Sequence, residues 1–131
     1  MRYSSDVASQ TRSRMVAIID DDDSVRAALL GLMKEAPLPA IAFRSAEEFL
    51  DSGRQHQTGC LITDIRMPGM SGLELYAKLI AENCRIPTIF VTAHGDATMR
   101  MQALRSGAVE FFAKPFNDDA LLESVRAAME M

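Results

Sequence analysis

Five short apolar runs alternate along the chain with longer segments in which apolar residues recur at helical spacing. This alternation is typical of a parallel sheet whose strands are joined by crossover helices. The predicted strands are, in chain order, Met15–Ile19, Ala40–Phe43, Cys60–Thr63, Pro87–Thr92 and Val109–Ala113. The sequence therefore predicts an α/β fold, a three-layer (βα)5 sandwich built on a doubly wound, five-stranded parallel sheet.

Apolar periodicity and capping residues mark the helices between these strands. The first helix has an apolar stripe that consists of Val25, Leu29, Leu32, Met33 and Ala36. Asp22 or Asp23 can cap its start, because a carboxylate at that place accepts hydrogen bonds from free backbone N–H groups. Two pairs have the spacing of a capping box, Ser45 with Glu48 and Ser71 with Glu74. The remaining predicted helices are Ser45–Leu50, one starting at Ser71, one over about Ala97–Arg105 that stops at Gly107, and Asp118–Met129.

Polar residues lie at the ends of four of the predicted strands: the acidic run Asp20–Asp23, then Asp64, Thr92 and Lys114. The 44 residues from Asp20 to Asp64 accommodate two crossovers, and each later interval fits about one strand–helix unit of roughly 30 residues. Right-handed crossovers place all strand C-termini at one edge of the sheet. With the strand order 2-1-3-4-5, strands one and three are neighbours, so the acidic run should face Asp64 across the crevice.

Length, charge and cysteine content narrow the function classes. The 131 residues suit one domain, residues 15–131, preceded by a polar segment, residues 1–14, that we interpret as a disordered extension without function. A net charge of -4 argues against direct binding of nucleic acid, which requires a clustered basic surface. Cys60 and Cys84 have no metal-like spacing and fit a reducing cytoplasm. No apolar run reaches the ~20 residues of a membrane span.

The residues at the strand ends suit phosphoryl chemistry. Aspartate carboxyls are ordinarily ionised at neutral pH, so Asp64 can be a nucleophile without a general base. A hard divalent cation held by Asp21 and Asp64 would offset repulsion between this carboxylate and an anionic phosphoryl group, and Mg²⁺ prefers such oxygen ligands. Lys114 supplies a compact positive charge, and the Thr92 hydroxyl can donate a hydrogen bond to a phosphoryl oxygen.

Four stretches of the sequence carry a family resemblance: VAIIDDDDSVR, CLITDIRMPGMSGLEL, IPTIFVTAHGD and SGAVEFFAKPF. Together they cover most of residues 15–129, and they resemble the receiver domain of two-component response regulators, whose fold is flavodoxin-like (CheY-like). The grouping of TDIRMPGMSG with AHGDATMRMQALRSGA and FFAKPF is most similar to the FixJ-like subfamily, whose members usually carry a C-terminal helix-turn-helix domain. No such DNA-binding domain is present in these residues.

The resemblance assigns roles to the acidic residues. Asp64 is implied to be the phosphoacceptor. Asp21 and Asp64 are implied to bind Mg²⁺ directly, with Asp20 acting mainly through water and the Arg66 backbone carbonyl completing the protein ligands.

Other roles implied by the resemblance concern reading the phosphoryl group. Thr92 and Lys114 would contact it, Lys114 being aimed inward by a cis peptide bond to Pro115, and Thr92 and Phe111 would form the switch. In this family the positions of His94 and Arg66 tune hydrolysis of the acyl phosphate.

Each site residue also has a structural interpretation. Asp20–Asp23 could be a solvated run that caps the first helix, and Asp22 and Asp23 are best interpreted that way. Asp64 could simply form a turn, Thr92 could fill a strand, and Lys114 could lie on the surface. The two adjacent phenylalanines of strand five point to opposite faces, so one should be core while the other can respond to helix four.

The leading hypothesis is a signalling receiver rather than an enzyme. A histidine kinase would phosphorylate Asp64, and the added charge would alter a surface of helix four, strand five and helix five, used for dimerisation or for an output domain that regulates transcription. One alternative is a Mg²⁺-dependent phosphatase of the aspartyl-phosphate type, but such enzymes place nucleophile and acid within one DxD turn. A receiver-like scaffold that is never phosphorylated is the other alternative.

Overall fold

The strands and helices of the chain alternate over its whole described length. The computed structural model describes residues 14–93 and 97–131. The strands are β1 (Met15–Ile19), β2 (Ala40–Phe43), β3 (Thr58–Thr63), β4 (Thr88–Thr92) and β5 (Glu110–Ala113). The helices are α1 (Asp23–Glu35), α2 (Ala46–Ser52), α3 (Gly72–Ala81), α4 (Ala97–Arg105) and α5 (Asp118–Met129), with a short 3-10 turn at Gln55–Gln57 before β3.

All five strands are parallel and form one sheet in the order β2-β1-β3-β4-β5. This order confirms the prediction, including the adjacency of β1 and β3. The pairing register aligns Ile19 with Thr63 and Thr92 with Ala113, so the strands finish at one common edge. The starts of β1 and β2 are as predicted, and those of β3, β4 and β5 differ by one or two residues. The largest difference is β3, which begins at Thr58 because Thr58 pairs with Met15 of β1, just before a shift in the register at Gly59.

Alternate residues of the strands are buried on opposite faces of the sheet. In β1, Val16 and Ile18 pack with residues of α1 and α5, whereas Ala17 and Ile19 pack with residues of α2 and α3. A third cluster joins α3 and α4 to β4 and β5 through Tyr76, Phe90, Ala103 and Phe111, together with Ile65. Burial on both faces explains the continuous apolar runs of the strands and confirms the three-layer sandwich.

The predicted helix starts are confirmed in detail, with one change. Asp22 is the N-cap of α1, because its carboxylate accepts hydrogen bonds from the backbone N–H groups of Ser24 and Val25. Helix α3 has the complete predicted capping box. Helix α2 has one half of its box: Ser45 accepts from the Glu48 N–H, but the Glu48 carboxylate accepts from Arg44, the residue before the cap.

None of the helices in the two described ranges is long and apolar enough to cross a bilayer. Of the segment 1–14, interpreted above as disordered, only Arg14 lies among the described residues. Its guanidinium donates a hydrogen bond to the backbone carbonyl of Met131, at 3.4 Å.

Candidate phosphoryl-acceptor site

The common edge of the sheet brings together the polar residues at the ends of β1, β3, β4 and β5. The Asp64 N–H donates to the Ile19 carbonyl at 3.0 Å, which extends the β1–β3 ladder and places Asp64 beside Asp20. On the other side, the Lys114 N–H donates to the Thr92 carbonyl at 3.0 Å. Backbone pairing, rather than side-chain preference, therefore fixes the relative positions of these four residues.

Lys114 joins the two acidic strand ends. Its Nζ lies 2.8 Å from Asp20 Oδ2 and 3.2 Å from Asp64 Oδ2, and its side chain is 16% exposed. Asp20 and Asp64 are themselves buried, so the three charges lie in a setting where screening by water is reduced. The Lys114–Pro115 peptide bond is cis, as the family resemblance implied.

Asp20 is held from several directions. Its Oδ1 accepts a hydrogen bond from the Asp22 N–H at 2.9 Å, and its backbone carbonyl accepts from Arg26 Nη1 at 2.7 Å. Burial raises the pKa of Asp20, and the hydrogen bonds from Lys114 and from the Asp22 N–H offset only part of that effect. Both carboxylate oxygens of Asp20 thus have protein partners.

The ammonium group of Lys114 is stabilised by its surroundings. Burial by itself lowers the pKa of Lys114, but the hydrogen bond and negative charge of Asp20, and those of Asp64, outweigh burial and raise it. Lys114 is therefore a fixed positive charge at neutral pH. Asp64 is held by a second contact as well, since its Oδ1 accepts from the Ile65 N–H at 2.6 Å.

Three carboxylates at this edge could hold a cation. Oxygen atoms of Asp20, Asp21 and Asp64 all lie within 4.8 Å of one another, and Asp21 is exposed to solvent. Hard carboxylate oxygens with access to water match the preference of Mg²⁺ for a few carboxylates and several water ligands. The donor set therefore fits the predicted ion. Arg66 lies two residues beyond Asp64, with an exposed side chain.

Thr92 and Phe111 lie on the β4–β5 side of the site. Thr92 is fully buried at the end of β4. Phe111 is 5% exposed and packs beside Ala103 of α4, while Arg100 of α4 places its Cζ 6.0 Å from the centre of the phenylalanine ring. Phe112 packs on the opposite face of the sheet, in the cluster that contains α1 and α5. Of the two phenylalanines, Phe111 is the one next to α4. His94 falls outside the described residues.

Two residues at the site were not predicted. A Cβ on Gly72 would lie well inside van der Waals distance of the Asp64 carbonyl oxygen and 3.1 Å from Ile65 Cα, so only glycine allows α3 to start this close to the phosphoacceptor candidate. The sequence did contain a signal for this close approach, because Gly72 directly follows the N-cap Ser71 at a position where other residues would favour the helix more. Glu47 of α2 accepts a hydrogen bond from the Met70 N–H, 23 residues away, and no local pattern indicates that contact.

Comparison with known proteins gives a consistent set of matches. The sequence model of the response regulator receiver domain matches residues 16–126. Nodulation protein W of Bradyrhizobium diazoefficiens is 44% identical over 116 residues, which are 88% of this chain and 51% of that protein. The transcriptional regulatory protein FixJ of Azorhizobium caulinodans is 43% identical over 114 residues, 87% of this chain and 54% of that protein. The chain thus spans about half the length of the curated relatives that it matches.

Among solved structures, the crystal structure of FixJ-N is similar to the chain with a TM-score of 0.81 at 38% identity. The match covers 89% of this chain and 94% of the FixJ-N chain. The similarity therefore extends over almost the entire FixJ-N chain.

Proposed function

Because the chain belongs to the family of response regulator receiver domains, we propose that it is a signalling phosphoacceptor that is phosphorylated on Asp64 with the help of Mg²⁺. Receiver domains are signalling proteins that generally bind Mg²⁺ in an acidic pocket. The observation that carries the proposal is the contact of Lys114 with both Asp20 and Asp64, beside a third carboxylate, Asp21. This is the charge arrangement that transfer of a phosphoryl group to a carboxylate needs.

In the proposed reaction, a carboxylate oxygen of Asp64 attacks the phosphorus atom of a donor phosphohistidine. A P–O bond forms, the P–N bond of the donor breaks, and its electron pair stays on the imidazole nitrogen. The product is an acyl phosphate. Such transfer depends on positioning and on stabilisation of charge rather than on covalent chemistry by the protein.

The protein groups would divide the work. Asp21 and Asp64, with the Arg66 carbonyl and with Asp20 through water, would hold Mg²⁺, which when bound neutralises negative charge on the carboxylates and the phosphoryl oxygens. Lys114 already contacts the Asp64 carboxylate, and its ammonium group could form an ion pair with the phosphoryl oxygens once Asp64 is phosphorylated.

The Thr92 hydroxyl would move to donate a hydrogen bond to a phosphoryl oxygen, and the Phe111 side chain would respond to this movement of Thr92. Support for this switch comes from position: Thr92 ends the strand next to β5, and Phe111 packs between β4 and α4. Phosphorylation would then alter the surface formed by α4, β5 and α5, either for a homodimer or for an output domain.

Partners and output follow from the relatives by analogy. Response regulators receive phosphate from sensor kinases and link to output domains, so we propose a sensor histidine kinase as the donor. A relative named as a transcriptional regulatory protein makes transcription the favoured output, through a domain outside these residues. The chain itself would bind no nucleic acid, and it would catalyse only its own phosphorylation and slow dephosphorylation.

The test is phosphorylation by acetyl phosphate in the presence of Mg²⁺, followed by intact-mass spectrometry. The wild-type chain should gain the mass of one phosphoryl group, and Asp64→Asn should gain none. Asp51→Asn, the same change at an exposed aspartate of α2, is the matched control and should be labelled like the wild type. Labelling of Asp64→Asn to the wild-type extent would exclude Asp64 as the acceptor.

A further inference from the structure

A contact between α2 and the loop after Asp64 has no role in the chemistry described so far. Glu47 Oε2 accepts a hydrogen bond from the backbone N–H of Met70 at 2.8 Å. Gly69, with φ of +79°, lies directly beneath the same carboxylate, because a Cβ on Gly69 would be 2.6 Å from Glu47 Oε2. The Glu47 carboxylate is therefore seated on the backbone of the loop.

The β3–α3 loop, residues 66–70, is fixed at both ends. One hydrogen bond joins the residues on either side of the loop, because the Gly72 N–H donates to the Ile65 carbonyl at 2.8 Å. At its end, the Ser71 N–H donates to the Glu74 carboxylate at 2.8 Å as part of the capping box of α3. The contact from Glu47 joins the middle of this loop to a different helix, and so limits how far the loop can move away from α2.

The loop also carries the backbone carbonyl of Arg66, which belongs to the proposed set of Mg²⁺ ligands. We propose that Glu47 is a positioning residue: by holding the Met70 N–H, it keeps the β3–α3 loop in the conformation that presents the Arg66 carbonyl to the cation at Asp21 and Asp64. This inference rests on the proposed function, because it concerns affinity for the cation at that site.

The physical reason is pre-organisation. When only a fraction of the protein has the binding-competent loop, the apparent dissociation constant rises in inverse proportion to that fraction. A hydrogen bond from a backbone N–H to a carboxylate is charge-assisted and so favours the competent loop. The same hydrogen bond lowers the pKa of Glu47, because the N–H donates to the ionised form of the carboxyl.

Two conservative variants separate positioning from simple charge attraction. Glu47→Gln removes the charge and keeps an oxygen acceptor at the same reach. Glu47→Asp keeps the charge and withdraws the acceptor by one methylene group. Positioning predicts that Glu47→Gln, which keeps a weaker, uncharged hydrogen bond, stays closer to the wild type than Glu47→Asp does, and that Glu47→Asp resembles Glu47→Ala. Attraction of Mg²⁺ by the charge predicts the reverse order.

The experiment measures two quantities on the full chain: hydrogen exchange of the Met70 amide without Mg²⁺, and the dissociation constant for Mg²⁺ alone, from shifts of backbone amide resonances. Glu47→Ala and Glu47→Asp should speed exchange at Met70 and weaken Mg²⁺ binding by roughly three- to tenfold. Asp51→Ala, which removes a carboxylate from the same helix, should change neither quantity.

Three results would overturn the inference. Wild-type Mg²⁺ affinity in Glu47→Ala would show that the contact does not matter for the cation. Weak binding by Glu47→Gln with a protected Met70 amide would assign the effect to charge instead of position. If the wild-type chain binds no Mg²⁺, the proposed function is refuted and this inference fails with it. The titration of the wild type separates this result from the first two, in which the wild type does bind Mg²⁺.

Discussion

Replacement of Gly72 by alanine should destabilise the protein and disturb the site, although alanine normally favours a helix. The added Cβ would lie 3.0 Å from the carbonyl carbon of Asp64 and 3.1 Å from Ile65 Cα, and closer still to the Asp64 carbonyl oxygen. All of these are backbone atoms, so no side chain can turn away to make room. The substitution must push α3 away from the end of β3.

The magnitude follows from two opposing effects. Overpacking of a buried position typically costs about 1–3 kcal/mol, and the upper end applies because backbone has to move. The higher helix propensity of alanine returns about 1 kcal/mol at most. The free energy of unfolding of Gly72→Ala should thus fall by about 2 kcal/mol, which for a domain of this size lowers the melting temperature by about 8 °C.

Gly31→Ala provides the matched control. Gly31 lies inside α1, and a Cβ there would meet nothing within 4 Å. This variant should therefore gain about 0.5–1 kcal/mol from helix propensity alone. Urea and thermal unfolding followed by circular dichroism, with EDTA present, measure both variants. If Gly72→Ala is as stable as the wild type, or gains stability like Gly31→Ala, the steric reasoning is refuted.

Two further predictions concern the charges and the thiols. Lys114→Met removes the ammonium group that contacts the carboxylates of Asp20 and Asp64, so it should lower the melting temperature in EDTA. Added Mg²⁺ should then stabilise this variant more than it stabilises the wild type, and equal stabilisation of both proteins would contradict the prediction. Burial raises the pKa of the Cys60 thiol to about 12 and shields it from solvent, whereas Cys84 is partly exposed, with a pKa raised by partial burial and by the charge of Glu82. A thiol reagent at pH 8 should therefore label Cys84 first and reach Cys60 only after unfolding, and peptide mapping of the labelled chain shows which thiol reacted.

The family resemblance supplied the sheet order, and the strand pattern then predicted that Asp20, Asp64 and Lys114 meet. Each of these residues directly follows a strand, and the C-terminal ends of parallel strands lie at the same edge of a sheet, so the topology brings separate sequence positions into one site. Helix starts were predictable for a similar reason, since capping side chains act over two or three residues of backbone.

Contacts between distant segments were not predictable in this way. Glu47 and Met70 are 23 residues apart, and neither shows a periodic pattern that would indicate their hydrogen bond. The need for glycine at position 72 depends on the distance between α3 and β3, which becomes visible only when both elements are packed. At the start of α2, the Glu48 carboxylate accepts from the N–H of Arg44 instead of that of Ser45, and this likewise depends on the path of the chain as it leaves β2.

The hydrogen bonds around Asp20 make the first turn of α1 a natural reporter for the site. Asp22 caps that turn with its side chain and donates its own N–H to the Asp20 carboxylate, while Arg26 of the same turn donates to the Asp20 carbonyl. A change of charge or ligand at Asp20 therefore alters groups that also decide whether this turn stays wound. The amide resonances of Ser24 and Val25, which donate to Asp22, should consequently change when the site is occupied.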